Sequence, residues 1–296
     1  MSIRCPDWLI KKAPCASILT EMKTLLDGLS LHTVCESALC PNLGECFSHQ
    51  TATFLLMGDI CTRNCRFCAI RKGKPSPLDP DEPWNIARAV DKLKLKHAVI
   101  TSVTRDDLPD GGAAHFARTI NAIRQANPQT TVEVLIPDFE GSPDALKTIV
   151  DNYPQVINHN VETVPRLYAE VCPKANYQRS LNLLWTVKSM EGRILTKSGL
   201  MLGLGEEHNE VVTVMEDLRA VGCDFLTIGQ YLAPSSKHYP VISYVTPEEF
   251  EEYKSLGERM GFSSVASRPF VRSSFRAAEM VAVSGRTTIG LEHESY

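Results

Sequence analysis

The sequence lacks the features that mark a membrane protein or a nucleic-acid-binding protein. No apolar run approaches the roughly 20 residues that a helix needs to cross a bilayer. The formal net charge is −4, which leaves no excess of positive charge for nucleic acid or for an anionic membrane. Residues 1–12 also lack the apolar stretch and the cleavage site of a signal peptide. We therefore expect a cytoplasmic protein that binds neither nucleic acid nor membrane.

Cysteines are scarce in most of the chain and concentrated in one part of it. The sequence contains 10 cysteines, and six of them lie between residues 35 and 68. A disulfide framework would usually distribute its cysteines across the fold that it stabilises. The clustering therefore favours metal binding. The other four, Cys5, Cys15, Cys172 and Cys223, lack ligand spacing and are interpreted as ordinary thiols.

The sequence also lacks the glycine-rich fingerprint that follows the first strand of a dinucleotide-binding sheet. Instead, apolar runs alternate with helical patterns, which predicts parallel strands joined by helices. Strands are predicted at 53–57, 97–103, 131–136, 156–160, 195–202 and 225–228. Helices are predicted at 17–29, 84–95, 113–126, 143–152, 177–190, 210–221 and 247–260.

These alternations predict an α/β protein, a partial (βα)6 barrel of the TIM type. The barrel is expected to span residues 51–262, between an N-terminal extension at 1–50 and a C-terminal extension at 263–296. The segment from residue 262 onward is interpreted as an appendage and not as another barrel unit. In barrels of this type the active site lies at the C-terminal ends of the strands.

The most informative motif directly follows the first predicted strand. Cys61, Cys65 and Cys68 have the spacing C-x3-C-x-Phe-C, with Phe67 before the last cysteine. Three thiolates can hold three irons of a cubane cluster and leave the fourth iron open for a small molecule. An open metal position suits catalysis, whereas a structural site fills every position. This loop therefore predicts an enzyme.

A second group of three cysteines precedes the first strand. Cys35, Cys40 and Cys46 have the spacing C-x4-C-x5-C. Taken alone, this group fits a zinc site or unliganded thiols as well as a cluster, although zinc usually uses closer cysteine pairs and four ligands. Two such groups so close in sequence are better explained by two clusters.

The motifs together resemble a known family. The Cys61 loop, with a barrel behind it, resembles the radical S-adenosylmethionine (SAM) superfamily, and the added C-x4-C-x5-C motif is similar to the lipoyl synthase family. Segments 101–113, 158–162, 197–206 and 272–275 also resemble that family, over about residues 6–280. One departure is Phe275, where the family commonly has tyrosine. The ring is kept, so only the role of a hydroxyl is affected.

The resemblance implies two 4Fe–4S clusters with different roles. The Cys61 cluster would bind the amino and carboxylate groups of SAM and deliver the electron that gives a 5′-deoxyadenosyl radical. The Cys35 cluster would be auxiliary and would be consumed as the sulfur donor, with Ser274 as its fourth ligand. The resemblance thus gives as catalytic residues Cys61, Cys65, Cys68 and Ser274.

Other residues are implied to contact SAM at the barrel mouth. The set consists of Phe67, Asp110, Gly111, Gly112, Asn158, Asn160, Glu162, Lys197, Gly203, Gly205 and Glu206. Several alternatives stay open. Asp110 to Gly112 also fits a plain turn, Glu162 a loop carboxylate, and a buried Lys197 needs either the SAM carboxylate or a nearby glutamate as partner. Arg166 and Arg272 are weaker candidates for a substrate carbonyl.

The resemblance also implies the reaction and its partners. Two sulfur atoms would be inserted at C6 and C8 of an octanoyl-lysine on a carrier protein, either a 2-oxoacid dehydrogenase lipoyl domain or the glycine cleavage H protein. An electron donor such as ferredoxin or flavodoxin would be needed. The alternatives are another radical SAM sulfurtransferase, such as a biotin-synthase-like enzyme, and a cluster protein that senses iron or redox state without catalysis.

Overall fold

The computed structural model describes residues 4–11 and 16–283. Cys15 and the outer ends of the two predicted extensions lie outside these residues. The strands are β1 (His32–Thr33), β2 (Thr53–Leu56), β3 (Ile60–Cys61), β4 (Arg71–Lys72), β5 (His97–Ser102), β6 (Thr131–Leu135), β7 (Val156–Asn158), β8 (Leu195–Leu202), β9 (Phe225–Gln230) and β10 (Ser264–Ser267). The α-helices are α1 (Ala16–Asp27), α2 (Val34–Ser37), α3 (Leu43–Ser48), α4 (Glu82–Lys92), α5 (Ala113–Ala126), α6 (Pro143–Val150), α7 (Tyr168–Val171), α8 (Tyr177–Met190), α9 (His208–Ala220), α10 (Pro247–Arg259) and α11 (Ala277–Val283).

The main sheet has the order β1-β2-β5-β6-β7-β8-β9-β10. From β2 to β10 every neighbouring pair is parallel, while β1 pairs antiparallel with β2 at one edge. Helices α4, α5, α6, α8, α9 and α10 lie between consecutive strands of this parallel series. The predicted α/β partial barrel is therefore confirmed. No described helix has both the length and the apolar character that crossing a bilayer requires.

The predicted strands and helices lie within a few residues of the observed ones, because their sequence signals are local. Helix α10, for example, begins after Thr246, whose side chain accepts a hydrogen bond from the backbone of Glu249 in a capping box. Pro247 occupies the first turn, where a missing N–H costs nothing. The strands β2, β5 and β9 are mostly or entirely buried, as expected for a sheet covered on both faces.

One strand of the parallel series was not predicted. Ser264–Ser267 adds a seventh parallel strand to the sheet through its pairing with β9, so the interpretation of this segment as a mere appendage is wrong. The run is short, and serines flank its two apolar residues. It therefore lacks the apolar continuity that marks the other strands, and only the pairing with β9 makes it a strand.

The segment after β10, residues 268–283 (the tail), lines the same cavity as the strand residues that face the barrel interior. Ser273 Oγ donates to Asn160 Oδ1 at 3.0 Å, just past the C-terminal end of β7. Further along, Met280 and Val281 of α11 pack against the first residues of three strands, Val156, Leu195 and Phe225. The tail therefore runs from the C-terminal to the N-terminal ends of the strands.

Candidate active site: two cysteine groups around one cavity

One cavity of about 850 Å³ brings the two cysteine motifs together with the tail. The predicted site residues that line it are Cys35, Cys40, Cys46, Cys61, Phe67, Cys65, Cys68, Asn160, Glu162, Arg272 and Ser274. They come from segments that are up to 239 residues apart in sequence, as the numbers 35 and 274 show. The fold thus assembles one site from three distant parts of the chain.

The Cys61 loop is held by short-range backbone structure. The chain turns sharply after β2, where Met57 and Gly58 both have positive φ angles, of 67° and 84°. Cys61 then pairs with Lys72 in the small β3–β4 ladder. The backbone N–H of Thr104 donates to Cys61 Sγ at 3.3 Å, which ties the loop to the end of β5. These contacts orient the first of the three thiols.

The Cys35 loop is folded by two short helices. Cys35 lies in α2 and is buried, and the Cys40 N–H donates to its carbonyl oxygen at 3.0 Å. Cys46 lies in α3, and its N–H donates to the Asn42 carbonyl oxygen at 2.9 Å. The loop therefore turns back on itself, and all three of its thiols line the cavity.

Burial and neighbouring negative charge together raise the pKa of buried thiols in both groups. Burial is the main cause of the rise in the pKa of Cys65 to about 12, and negative charge on Cys68, Glu162 and Cys61 contributes to the same rise. Burial likewise raises the pKa of Cys35 to about 12, with further contributions from Cys40 and Cys46. A thiol must lose its proton to ligate a metal, so metal binding and deprotonation are coupled at these cysteines.

The donor set fits iron–sulfur clusters better than zinc. Across residues 4–11 and 16–283, no three His, Cys, Asp or Glu side chains are arranged to hold a single metal ion. A cubane cluster, in contrast, takes each protein ligand on a different iron, so its thiolates need not converge on one point. Thiolates are also the soft ligands that iron–sulfur clusters select. Both cysteine groups therefore suit a cluster.

The tail approaches the barrel wall closely enough to require a glycine. A Cβ atom on Gly229 of β9 would lie only 2.1 Å from the Val271 carbonyl oxygen and 3.3 Å from Arg272 Nη1. Any larger residue at position 229 would push the tail away from the strand. Because Val271 is three residues before Ser274, this contact helps to hold Ser274 in the cavity wall.

Glu162 is the one carboxylate among the predicted SAM contacts that line the cavity. Burial raises its pKa to about 7, although a hydrogen bond from Asn160 Nδ2, 3.3 Å away, opposes the shift. Its backbone has a positive φ of 65°, and its N–H donates to the Gly199 carbonyl oxygen at 3.0 Å. A half-buried carboxylate with one weak partner can accept hydrogen bonds from ligand hydroxyl or ammonium groups.

A family model described as the radical SAM superfamily matches residues 55–218. The lipoyl synthase of Caldanaerobacter subterraneus subsp. tengcongensis is 58% identical over 277 residues, 94% of this chain and 97% of that protein. The chain belongs to the lipoyl synthase family. The lipoyl synthase of Caldicellulosiruptor saccharolyticus is 56% identical and is matched over 96% of this chain and 99% of its own length.

Solved structures agree with this fold. The crystal structure of methylornithine synthase (PylB) gives a TM-score of 0.55 at 12% identity, covering 90% of this chain and 91% of that one. At this identity the likeness concerns the fold alone. Family membership makes the chain a radical SAM sulfurtransferase that uses 4Fe–4S clusters and SAM. The predicted family, reaction class and cofactors are thereby confirmed.

Three of the predicted SAM contacts form a turn outside the residues that line the cavity. The Asp110 carboxylate accepts hydrogen bonds from the backbone of Gly112 and Ala114, at 2.9 and 2.8 Å, and so caps α5. Gly111 and Gly112 have positive φ angles. A Cβ atom on Gly112 would lie 2.3 Å from the sulfur of Met57. In this structure the segment forms a βα turn, and its assignment to SAM stays a prediction.

Lys197 and Asn158 are also placed away from the cavity. Lys197 Nζ donates to Glu133 Oε1 at 2.9 Å, and both side chains are fully buried. Asn158 Nδ2 donates to the same oxygen at 3.3 Å, and His97 Nε2 lies 3.3 Å from the other oxygen. Burial would raise the pKa of Glu133, but Lys197 and His97 lower it to about 2. The partner of Lys197 is thus a glutamate, one of the two that the sequence left open.

The glycine segment after β8 is built around its own turn. The Glu206 carboxylate accepts hydrogen bonds from the backbone N–H groups of Gly203 and Leu204, at 2.5 and 2.9 Å. The Gly205 carbonyl oxygen accepts from Arg166 Nη2 at 2.8 Å. These residues directly follow β8 in sequence, but they do not line the cavity. Their assignment to SAM stays a prediction.

Arg63 is a residue that the sequence analysis missed. Its guanidinium donates to both oxygens of Asp106, at 2.8 and 2.9 Å, and to Asp138 Oδ1 at 2.7 Å. Asp138 also accepts from Arg179. Arg63 is only 8% exposed, and it lies between Cys61 and Cys65, so it anchors their loop to the strand ends. An arginine between two ligand cysteines was the only sequence signal for this role.

Proposed function

We propose that the Cys61 group of this chain holds the cluster that binds SAM, while the Cys35 group and Ser274 hold the auxiliary cluster. The two clusters would serve insertion of sulfur at C6 and C8 of a protein-bound octanoyl-lysine. The observation that carries the proposal is that both thiol groups and the tail serine line one cavity. A radical formed on one side can then reach a carbon held next to the sulfur donor on the other.

When bound, the clusters and SAM supply the electron, the 5′-deoxyadenosyl radical and the sulfur that acid–base side chains cannot supply. The chain must bind, orient and protect these reactants. Cys61, Cys65 and Cys68 would leave one iron open for SAM. Asn160 and Glu162 lie on the cavity wall where they would accept hydrogen bonds from its ribose or amino group.

The rest of the cavity wall suits an alkyl chain. Strand residues that face the interior include Val99, Leu135 and Met201, and Ala277 of the tail lies on the same surface. An apolar wall would bind the octanoyl chain through the hydrophobic effect and exclude water from the radical. An unactivated C–H bond has no polar group that the protein could bind, so the octanoyl chain has to be positioned by packing alone.

We propose that the carrier protein that bears the octanoyl-lysine docks at the cavity rim. Leu39, next to Cys40, is 66% exposed and lies among the cavity-lining residues. We propose that lipoyl domains of 2-oxoacid dehydrogenases and the glycine cleavage H protein dock here. Ferredoxin or flavodoxin is the proposed electron donor. The cytoplasmic location and the boundary at residue 50 stay predictions, whereas β10 extends the sheet beyond the boundary predicted at residue 262.

The proposal is tested by product mass. We expect that anaerobic incubation of the reconstituted protein with SAM, a reductant and an octanoyl-lysine peptide replaces two hydrogens of the peptide by two sulfurs. About two molecules of 5′-deoxyadenosine should form per lipoyl group, because two C–H bonds are broken. SAM cleavage without any sulfur in the peptide would contradict the proposal and favour a biotin-synthase-like enzyme with another substrate.

A further inference from the structure

Lys11 joins three segments that are far apart in sequence. Its Nζ donates to Asn42 Oδ1 at 2.5 Å and to Glu45 Oε2 at 2.9 Å. The same ammonium group lies over the rings of Phe270 and Phe275, 4.6 and 5.8 Å from their centroids. One side chain from the N-terminal segment therefore contacts both the auxiliary cysteine loop and the tail.

Its partners on the cysteine loop reach the tail as well. Asn42 Nδ2 donates to the Phe270 carbonyl oxygen at 2.7 Å, and Asn42 is only 1% exposed. Glu45 Oε1 lies 3.7 Å from Arg276 Nη2. Asn42 and Glu45 both lie between Cys40 and Cys46 in sequence. The contacts thus originate within the loop that carries the auxiliary thiols.

The contacts on the tail lie on both sides of Ser274. Phe270 is four residues before it, and Phe275 and Arg276 follow it directly. A segment fixed at both ends leaves its central residue little freedom. The hydroxyl of Ser274 is thereby held at the cavity wall that Cys40 and Cys46 also form.

We propose that Lys11, Asn42 and Glu45 form a clamp that positions the tail so that Ser274 stays at the auxiliary site. None of the three needs to touch the reactants, so they are positioning residues. The inference rests on the proposed assignment of Ser274 as an auxiliary ligand. Without the clamp, the tail would separate from the Cys35 loop more often, and the iron that Ser274 would ligate would be lost more easily.

The test measures iron release from reconstituted full-length protein to a chelator. Ser274→Ala first identifies the auxiliary phase as the one that it accelerates. We expect Lys11→Met to accelerate the same phase by about tenfold, as loss of hydrogen bonds to a charged group would. Release from the other cluster should not change. Lys11→Arg should restore part of the slow release, because it keeps the charge and the donors.

Two further variants make the test decisive. Lys23→Met removes an exposed lysine from α1 and should leave both phases unchanged. Glu45→Gln keeps the side-chain shape but removes the charge that Lys11 and Arg276 face, so it should also accelerate the auxiliary phase. It replaces Lys11→Met if that variant does not fold. Hydrogen exchange over residues 268–276 should be faster in both clamp variants than in Lys23→Met.

The possible outcomes distinguish an error in the clamp from an error in the assignment of Ser274 as a ligand. If Ser274→Ala accelerates a phase that Lys11→Met and Glu45→Gln leave unchanged, the clamp is wrong and the ligand assignment stands. If Lys11→Met accelerates both phases equally, Lys11 has only a general structural role and the clamp is again wrong. If Ser274→Ala accelerates no phase, the assignment of Ser274 itself is wrong.

Discussion

Ser274→Ala is expected to cleave SAM to 5′-deoxyadenosine while its lipoyl product falls by roughly 10- to 100-fold, the range that loss of a metal-site partner costs. The two activities should separate because the site has two cysteine groups, and the proposed function assigns Ser274 to only one of them. A hydroxyl oxygen is a hard donor beside soft thiolates. We expect it to hold its iron more loosely than a fourth thiolate would, which suits a cluster that must open.

Two variants serve as controls for this result. Ser273→Ala removes the neighbouring hydroxyl, which donates to Asn160, and should keep most of the lipoyl product. Cys65→Ala removes a thiol of the other group and should abolish 5′-deoxyadenosine formation as well. Both products are measured by mass spectrometry in the same anaerobic reaction. Equal lipoyl yields from Ser274→Ala and the unchanged chain would contradict the role of Ser274.

Lys197→Met is expected to lower the free energy of unfolding by about 3–5 kcal/mol near neutral pH, the usual cost of breaking a buried ion pair. The substitution leaves the Glu133 carboxylate buried without its closest cation. Adding Glu133→Gln to Lys197→Met should recover much of the loss, because the unpaired charge is then removed. Denaturant unfolding of the single and double variants measures both effects.

The same pair gives a pH dependence of known sign. The folded-state pKa of Glu133, about 2, lies below its ordinary value of 4.5, so the folded chain binds fewer protons at this group than the unfolded chain. Its contribution to stability is present above 4.5 and is lost as the pH falls towards 2. In Lys197→Met, burial should raise the pKa of Glu133, so the loss of stability relative to the unchanged chain should be smaller at acid pH. A loss of stability that is equal at acid and neutral pH would contradict this account.

The sequence predicted the parts of the molecule whose signals are local. The bounds of α5 and α8 coincide with those predicted, because each has a contiguous helical pattern. The two cysteine loops were found from spacing alone. Strand β10 was missed because two serines flank a short apolar pair, and its pairing with β9 decides its structure.

Side-chain partners could not be predicted, because the sequence does not give distances between strands. Glu133 and Lys197 are 64 residues apart, and Asn42 and Phe270 are 228 apart. Spacing motifs say nothing about such pairs. The same limit applies to Asn158, which ends β7 as a residue at the barrel mouth would and whose assignment to SAM stays a prediction. In the structure its side chain donates to Glu133.

The central claim is that the sulfur that enters the product comes from a cluster held by the protein, which the account assigns to the Cys35 group. It is tested most directly by reconstituting the protein with heavy-isotope sulfide and letting it react once with octanoyl-lysine peptide and SAM. Sulfide in solution must be removed beforehand. The account predicts that both sulfurs in the lipoyl product carry the heavy isotope, in Ser273→Ala as in the unchanged chain. A product whose sulfur is light would contradict it.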